Sequence, residues 1–231
     1  MAIRVLGFDG DDTLWHNETR FNVTQSELRD LIRRHVPDAD VDNHLLAVEM
    51  KNLGTYGYGV KSFTLSMLET AIQLTEGRIP STDLEVILGW GKRMLNEPIE
   101  LLEGVEASLR ELGERYDILL ITMGDLFDQE SKLARSGLGE QFLGVEILSE
   151  KNAETYRGVF QRRAIQPQDF VMVGNSLRSD VVPVVELGGR AIHIPYVVTW
   201  EHEQVPEEEL PSTGWRRLET IRELPAALET I

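Results

Sequence analysis

The sequence of 231 residues contains no cysteine. Thiol nucleophiles, thiolate metal sites and disulfide staples are therefore excluded, and the expectation is a cytoplasmic chain. Long apolar runs are also missing. The first one, Ile3 to Phe8, is shorter than a secretory signal requires and runs into Asp9, Asp11 and Asp12. No run approaches the roughly 20 apolar residues that span a bilayer, so no membrane partner is expected. Positive charge is scarce: 23 Lys and Arg stand against 39 Asp and Glu, a net charge of −16. Without a basic surplus to displace counterions, nucleic acid is not an expected partner. An anionic substrate would need local positive charge from a metal, a lysine or oriented backbone N–H groups. Repeats and low-complexity tracts are absent, and no feature bears on oligomeric state.

What is present is an ordinary globular composition, 42% apolar and 27% charged. The length suits one large domain, or a domain with an insert, and a core that needs no staples. Arg4 to Phe8 reads as a buried strand. Four helices follow without strand signals. Thr24 with Glu27 forms a capping-box pattern ahead of Leu28, Leu31, Ile32 and Val36. His44 to Leu53 stops at Gly54, Lys61 to Thr75 stops at Gly77, and a Thr82–Glu85 box opens a helix through Leu95. The pattern then alternates. Strands are expected at Ile118–Ile121, Val145–Leu148, Phe170–Val173 and, last, Arg190–Ile194. Helices are expected around Val105–Leu112, Leu126–Arg135, Lys151–Ala164 and Asp180–Leu187. Alternation of this kind implies an α/β fold, a Rossmann-like parallel sheet with helices on both faces. The stretch from 16 to 97 reads as a helical insert.

Chemistry in such sheets gathers beyond the carboxyl ends of the strands. Four ends here carry suitable residues. Phe8-Asp9-Gly10-Asp11-Asp12-Thr13-Leu14-Trp15 places two carboxylates two residues apart after an apolar strand. In extended backbone they point the same way, and such crowding suits a hard cation such as Mg²⁺. The bland alternative is an acidic turn capping a helix. Ile121-Thr122-Met123-Gly124 offers a hydroxyl and a backbone N–H to a phosphate oxygen, or an ordinary helix N-cap. Lys151, in Ser149-Glu150-Lys151-Asn152, stands at a helix start, where the dipole disfavours a cation. It serves an anionic partner or is a solvated surface lysine. Val173-Gly174-Asn175-Ser176-Leu177-Arg178-Ser179-Asp180 offers a carboxylate, an amide and hydroxyls, or a loop capped by Ser179.

The order and placement of these four segments resemble the haloacid dehalogenase superfamily. FDGDDTLW resembles its first motif, Thr122 after LLI its second, Lys151 in SEKNAETYR its third, and GNSLRSD its fourth. The resemblance implies a hydrolase core at 1–15 and 98–231 and a C1-type helical cap at 16–97. It implies a Mg²⁺-dependent phosphatase acting on a small phosphorylated metabolite. Asp9 would be the nucleophile and Asp11 the general acid and base, its acidic surroundings raising its pKa. Thr122, Met123 and Lys151 would bind the phosphoryl group. Mg²⁺ would be held by Asp9, the Asp11 carbonyl and Asp180, and Asn175 departs from the aspartate common at its place while keeping an oxygen to offer. The second aspartate, Asp11, favours a phosphatase over a dehalogenase, because a halide leaves without a proton.

Three alternatives stay open: a phosphomutase, a phosphonatase with Lys51 or Lys61 as an imine former, and a silent phospho-ligand binder. Gly54-Thr55-Tyr56-Gly57-Tyr58-Gly59-Val60-Lys61 reads as a glycine-rich loop. Tyr56, Tyr58 and Lys61 would choose the substrate there, or would simply pack against the insert. The run from Val197 to Trp215 has no functional reading.

Overall fold

The computed structural model describes residues 3–231. Its sheet has strands β1 (Val5–Phe8), β2 (Asp117–Met123), β3 (Gly144–Leu148), β4 (Phe170–Gly174), β5 (Arg190–His193) and β6 (Trp215–Arg217). The order is β3-β2-β1-β4-β5-β6, and every pairing is parallel. This is the Rossmann-like α/β architecture expected from the alternation. The apolar runs are nearly continuous because helices cover both faces. In β2, Ile118 and Leu120 join one core with Leu6, Phe8, Val171 and Val173, closed by α5 (Val105–Gly113) and α9 (Leu224–Leu228). Leu119 and Ile121 face the other way, into a core with Phe170 and Met172, closed by α7 (Ala153–Arg163) and α8 (Val182–Glu186). Each fully buried aliphatic or aromatic side chain here stabilises the fold by about 1.5–3 kcal/mol.

β1 lies at the centre, with Phe8 opposite Leu120 on one side and Val173 on the other. The strand order reverses direction beside it, since the chain builds outward first through β2 and β3 and then through β4 and β5. Ligands of open parallel sheets bind at such a switch point.

The chain divides into two compact units. One comprises the residues up to Glu18, with Ile99–Met123 and Gln129–Ile231, and holds the sheet. The other comprises Thr19–Pro98 with Gly124–Asp128. It is built from α1 (Glu18–Arg33), α2 (Val41–Tyr56), α3 (Val60–Leu74) and α4 (Ser81–Asn96) around Leu28, Ile32, Leu45, Phe63, Met67, Ala71 and Ile87. Among the described residues no helix is long and apolar enough to cross a membrane.

Several local expectations are corrected. Thr24 does not cap α1. It is buried in the helix interior, and its hydroxyl donates to the Arg20 carbonyl at 3.0 Å. The N-terminal N–H groups of α1 are met upstream by Asp12, whose carboxylate accepts from Asn17 N and Glu18 N at 2.8–3.0 Å. The Thr82–Glu85 box likewise falls inside α4, which starts at Ser81 behind Pro80. Gly54 does not stop α2; the helix runs on to Tyr56, where Gly57 ends it with φ 70°. The helix at Asp180 begins earlier, as a π-turn over Leu177–Val181 capped by Ser176 rather than Ser179. Arg190–Ile194 is not the last strand, because Trp215–Arg217 adds β6 at the sheet edge. A three-residue strand gives too short a pattern to read alone.

Candidate active site

The four segments meet where the strands end. Asp9 follows β1, with its backbone N–H bonded to the Val173 carbonyl at 2.9 Å. Lys151 precedes α7, whose start is fixed by a capping box: Asn152 accepts from Glu154 N and Thr155 N, and Thr155 Oγ1 accepts from Asn152 N. Lys151 is only 5% exposed, so it is no surface lysine. Its Nζ donates to Asp9 Oδ1 at 2.5 Å and to Asp180 Oδ1 at 2.8 Å. The other Asp180 oxygen accepts from Ser176 N at 3.0 Å. Gly174 lets Asp180 approach this closely, because a Cβ there would lie 2.1 Å from Asp180 Oδ2.

Asn175 stands on the other side of Asp9. One end of its amide lies 3.1 Å from Asp9 Oδ2, 3.2 Å from the Asp11 carbonyl and 3.2 Å from Thr13 Oγ1. With nitrogen at that end the amide donates to these oxygens. With oxygen there, the Thr13 hydroxyl donates to it at 3.2 Å, and Asp9 Oδ2, the Asp11 carbonyl and the amide oxygen form an oxygen-rich set that suits a hard cation. Among the described residues no three His, Asp or Glu side chains converge to cage a metal. A cation would therefore draw on Asp9, the Asp11 carbonyl and the Asn175 amide oxygen, a hard-oxygen set.

Four carboxyl groups, Asp9, Asp11, Asp12 and Asp180, gather round two ammonium groups, Lys132 and Lys151, and without a cation protons offset the crowding. Burial pushes the Asp9 carboxyl up to about 8, against the pull of Lys151 and with the help of Asp180. Burial pushes Asp12 up to about 7, and Asp11 adds to the rise. Lys151 is lowered by burial, but Asp180 and Asp9 outweigh this and hold it above the usual lysine range.

Asp11 departs from expectation. Burial would raise its carboxyl, but the Lys132 ammonium, with hydrogen bonds from Lys132, Gln129 and Trp15, holds it below the usual range. Lys132 Nζ lies 3.0 and 2.9 Å from the two Asp11 oxygens. Gln129 Nε2 donates to Asp11 Oδ2 at 2.9 Å, and Trp15 Nε1 to Asp11 Oδ1 at 2.6 Å. Crowding by acids does not set this group; a buried cation does. Neither Gln129 nor Lys132 stood out in the sequence, although their three-residue spacing on the helix after Thr122 was available as a signal.

Thr122 is buried at the end of β2 and donates to Gln129 Oε1 at 3.3 Å. Met123 ends the strand, half-buried. Gly124 follows at φ 132°, a conformation open to glycine. The run after β5 also acquires contacts. Tyr196 Oη lies 2.6 Å from His16 Nδ1, and the Glu203 carboxylate accepts from Ser176 Oγ and from Ser179 Oγ, the latter at 2.8 Å. No local pattern foretold these, because the partners lie far apart in sequence.

Tyr56, Tyr58 and Lys61 belong to the helical unit. The expected loop shrinks to Gly57–Gly59, since Tyr56 ends α2 and Lys61 lies in the first turn of α3. Tyr56 is about half exposed. Lys61 Nζ donates to Asp125 Oδ1 at 2.8 Å and lies 5.3 Å from the centre of the Phe127 ring. Lys51 pairs with Glu69 at 3.4 Å. Both candidate imine-forming lysines are thus engaged by carboxylates.

Known proteins match this chain. The profile of the haloacid dehalogenase-like hydrolases matches residues 3–183. N-acylneuraminate-9-phosphatase of Homo sapiens is 28% identical over 185 residues, covering 76% of this chain and 71% of that protein. The Rattus norvegicus protein of the same name is 26% identical over 243 residues, covering 99% of this chain and 95% of its own. The crystal structure of a haloacid dehalogenase-like family hydrolase from Xanthomonas campestris superposes with a TM-score of 0.89 at 39% identity, covering 99% of this chain and 91% of that one.

Proposed function

The chain belongs to the haloacid dehalogenase-like hydrolase family, and from that premise we propose that it is a phosphatase acting on a small phosphorylated metabolite through an aspartyl-phosphate on Asp9. The observation that carries the reading is the buried triad Asp9–Lys151–Asp180 beside Asn175 and the Asp11 carbonyl. Phosphoryl transfer requires positioning and charge neutralisation more than covalent chemistry, and this is a site rich in both. The phosphatase-named relatives support the substrate class.

In the proposed reaction an Asp9 carboxylate oxygen attacks phosphorus as the bond to the leaving oxygen breaks. Asp11, which rests as a carboxylate beside Lys132, must take up a proton when substrate binds and pass it to that oxygen, so an alcohol departs. Water then attacks the aspartyl-phosphate, Asp11 takes a proton from it, and phosphate and the Asp9 carboxylate are released. Lys151 and Thr122 orient the transferring phosphoryl group, with the Met123 backbone beside them. Asp9, the Asp11 carbonyl and Asn175 would hold a Mg²⁺ ion, which would supply positive charge against the phosphoryl oxygens. Asp180 stands behind this set and fixes Lys151. The helical unit acts as a cap, in which Tyr56, Tyr58 and Lys61 contribute to the choice of substrate.

The test is release of inorganic phosphate from a panel of phosphorylated metabolites, headed by N-acylneuraminate 9-phosphate, with Mg²⁺ and with chelator. The expected result is Mg²⁺-dependent turnover that Asp9→Asn abolishes. Turnover retained by pure Asp9→Asn protein would remove the mechanism.

A further inference from the structure

We infer that Lys132 is a positioning residue that acts through Asp11, with Gln129 tying Asp11 to the phosphoryl-binding threonine; the inference rests on the phosphatase reading above. Lys132 is 5% exposed on α6 (Leu126–Ser136). Burying an ammonium is costly unless its protons are met. Here three oxygens meet three protons: Asp11 Oδ1 at 3.0 Å, Asp11 Oδ2 at 2.9 Å and Asn17 Oδ1 at 2.9 Å. One turn earlier on the same helix face, the Gln129 amide spans two functional groups. Its nitrogen donates to Asp11 Oδ2 at 2.9 Å, and its oxygen accepts from Thr122 Oγ1 at 3.3 Å.

The arrangement leaves Asp11 little freedom. A carboxylate offers about four acceptor directions. Lys132 engages both oxygens, Gln129 and Trp15 take one each, and the side chain has one resting place. With every direction met by a donor, Asp11 rests as the carboxylate. It can carry the leaving group's proton only once substrate frees one direction, and the remaining donors then hold it in place for the transfer. A bulk structural role for Lys132 would not require the bond from Gln129 to Thr122. That bond registers the proton-transferring carboxylate against the group expected to hold the phosphoryl oxygens.

The experiment compares wild type, Lys132→Met, Gln129→Leu and Asp11→Asn on an alkyl phosphate and on p-nitrophenyl phosphate. The first burst of alcohol or nitrophenol is read by rapid mixing, which isolates formation of the phosphoenzyme. An alkoxide needs a proton to leave, and nitrophenolate does not. Lys132→Met should slow the alkyl burst roughly 10- to 100-fold, a share of the ~10²–10⁴-fold that acid–base transfer contributes. It should change the nitrophenol burst by less than about three-fold and should add nothing in the Asp11→Asn background. Gln129→Leu keeps every charge but also frees Thr122. It should therefore add a loss common to both esters to the same extra loss on the alkyl ester, and the ratio of the two losses decides the matter where Lys132→Met does not fold. Equal losses on both esters, or a loss that multiplies with that of Asp11→Asn, would overturn the inference while leaving the phosphatase intact. A wild-type protein inert toward both esters and toward the metabolite panel would overturn the phosphatase reading, and this inference with it.

Discussion

Lys151 Nζ lies 2.8 Å from Asp180 Oδ1, and both side chains are almost wholly buried. The same ammonium serves Asp9, so one positive charge binds two carboxylates in a dry site. Lys151→Met removes the ammonium that both carboxylates share. It should destabilise the fold by about 3–5 kcal/mol, the usual consequence of stranding a buried charge, and should eliminate turnover. Urea titration of the chelated protein measures the first effect. A loss under about 1 kcal/mol would mean that the two carboxylates do not depend on Lys151.

Asp9→Asn should abolish hydrolysis, because an amide cannot form the phosphoenzyme. Asp11→Asn should retain the fold and lose about 10²–10⁴-fold in kcat. Steady-state kinetics on clean protein checks both, and an Asp11→Asn enzyme as fast as wild type would cancel the acid–base role.

The cation set is checked by calorimetry rather than by turnover. Asn175→Asp adds a negative charge beside Asp9 Oδ2, 3.1 Å away in the present amide, and should tighten Mg²⁺ binding. Asn175→Ala should weaken it. Asp180→Ala should weaken it less, since Asp180 is committed to Lys151 and Ser176 N. The opposite ranking of the two alanine variants would give the direct contact to Asp180.

Glu49 on α2 is pushed up from 4.5 to about 7 by burial. A carboxyl whose pKa is raised by folding keeps its proton in the native state after the unfolded chain has released it. Stability is therefore lost as pH rises from about 4.5 to about 7 and stays lower above that range. Glu49→Gln removes the effect. It should raise Tm at pH 8, by a free energy of at most about 3 kcal/mol, and leave Tm nearly unchanged near pH 4. Identical shifts at both values would sink the argument.

Substrate choice by the helical unit predicts a split. Tyr56→Ala and Tyr58→Ala should lower kcat/KM on the best metabolite far more than on p-nitrophenyl phosphate. Lys61→Ala also breaks the pair with Asp125. That exposed ion pair contributes about 0.2–1 kcal/mol, so any larger kinetic loss reports on substrate. Equal losses on both esters would assign all three residues to packing.

The sequence by itself determined the layout. Apolar runs at Val5–Phe8, Asp117–Met123 and Phe170–Gly174 are buried on both faces, so composition alone marks them as interior parallel strands. Asp9, Thr122, Lys151 and Asn175 could be named as candidates because each stands within a few residues of a strand end, where local pattern and position coincide. What only the tertiary structure decided is who meets whom. Lys151 could be a solvated lysine until β3 and β1 bring it to Asp9, 142 positions away in sequence. The state of Asp11 was misjudged from its acidic neighbours because Lys132, 121 positions away, dominates it. Helix boundaries moved for the same reason: Asp12 and Glu18 settle the start of α1 through a turn that no capping pattern announces. Periodicity and punctuation act over a few residues and survive in the sequence. Electrostatic partners are chosen by packing across the whole chain, and their energies exist only once burial has removed the water between them.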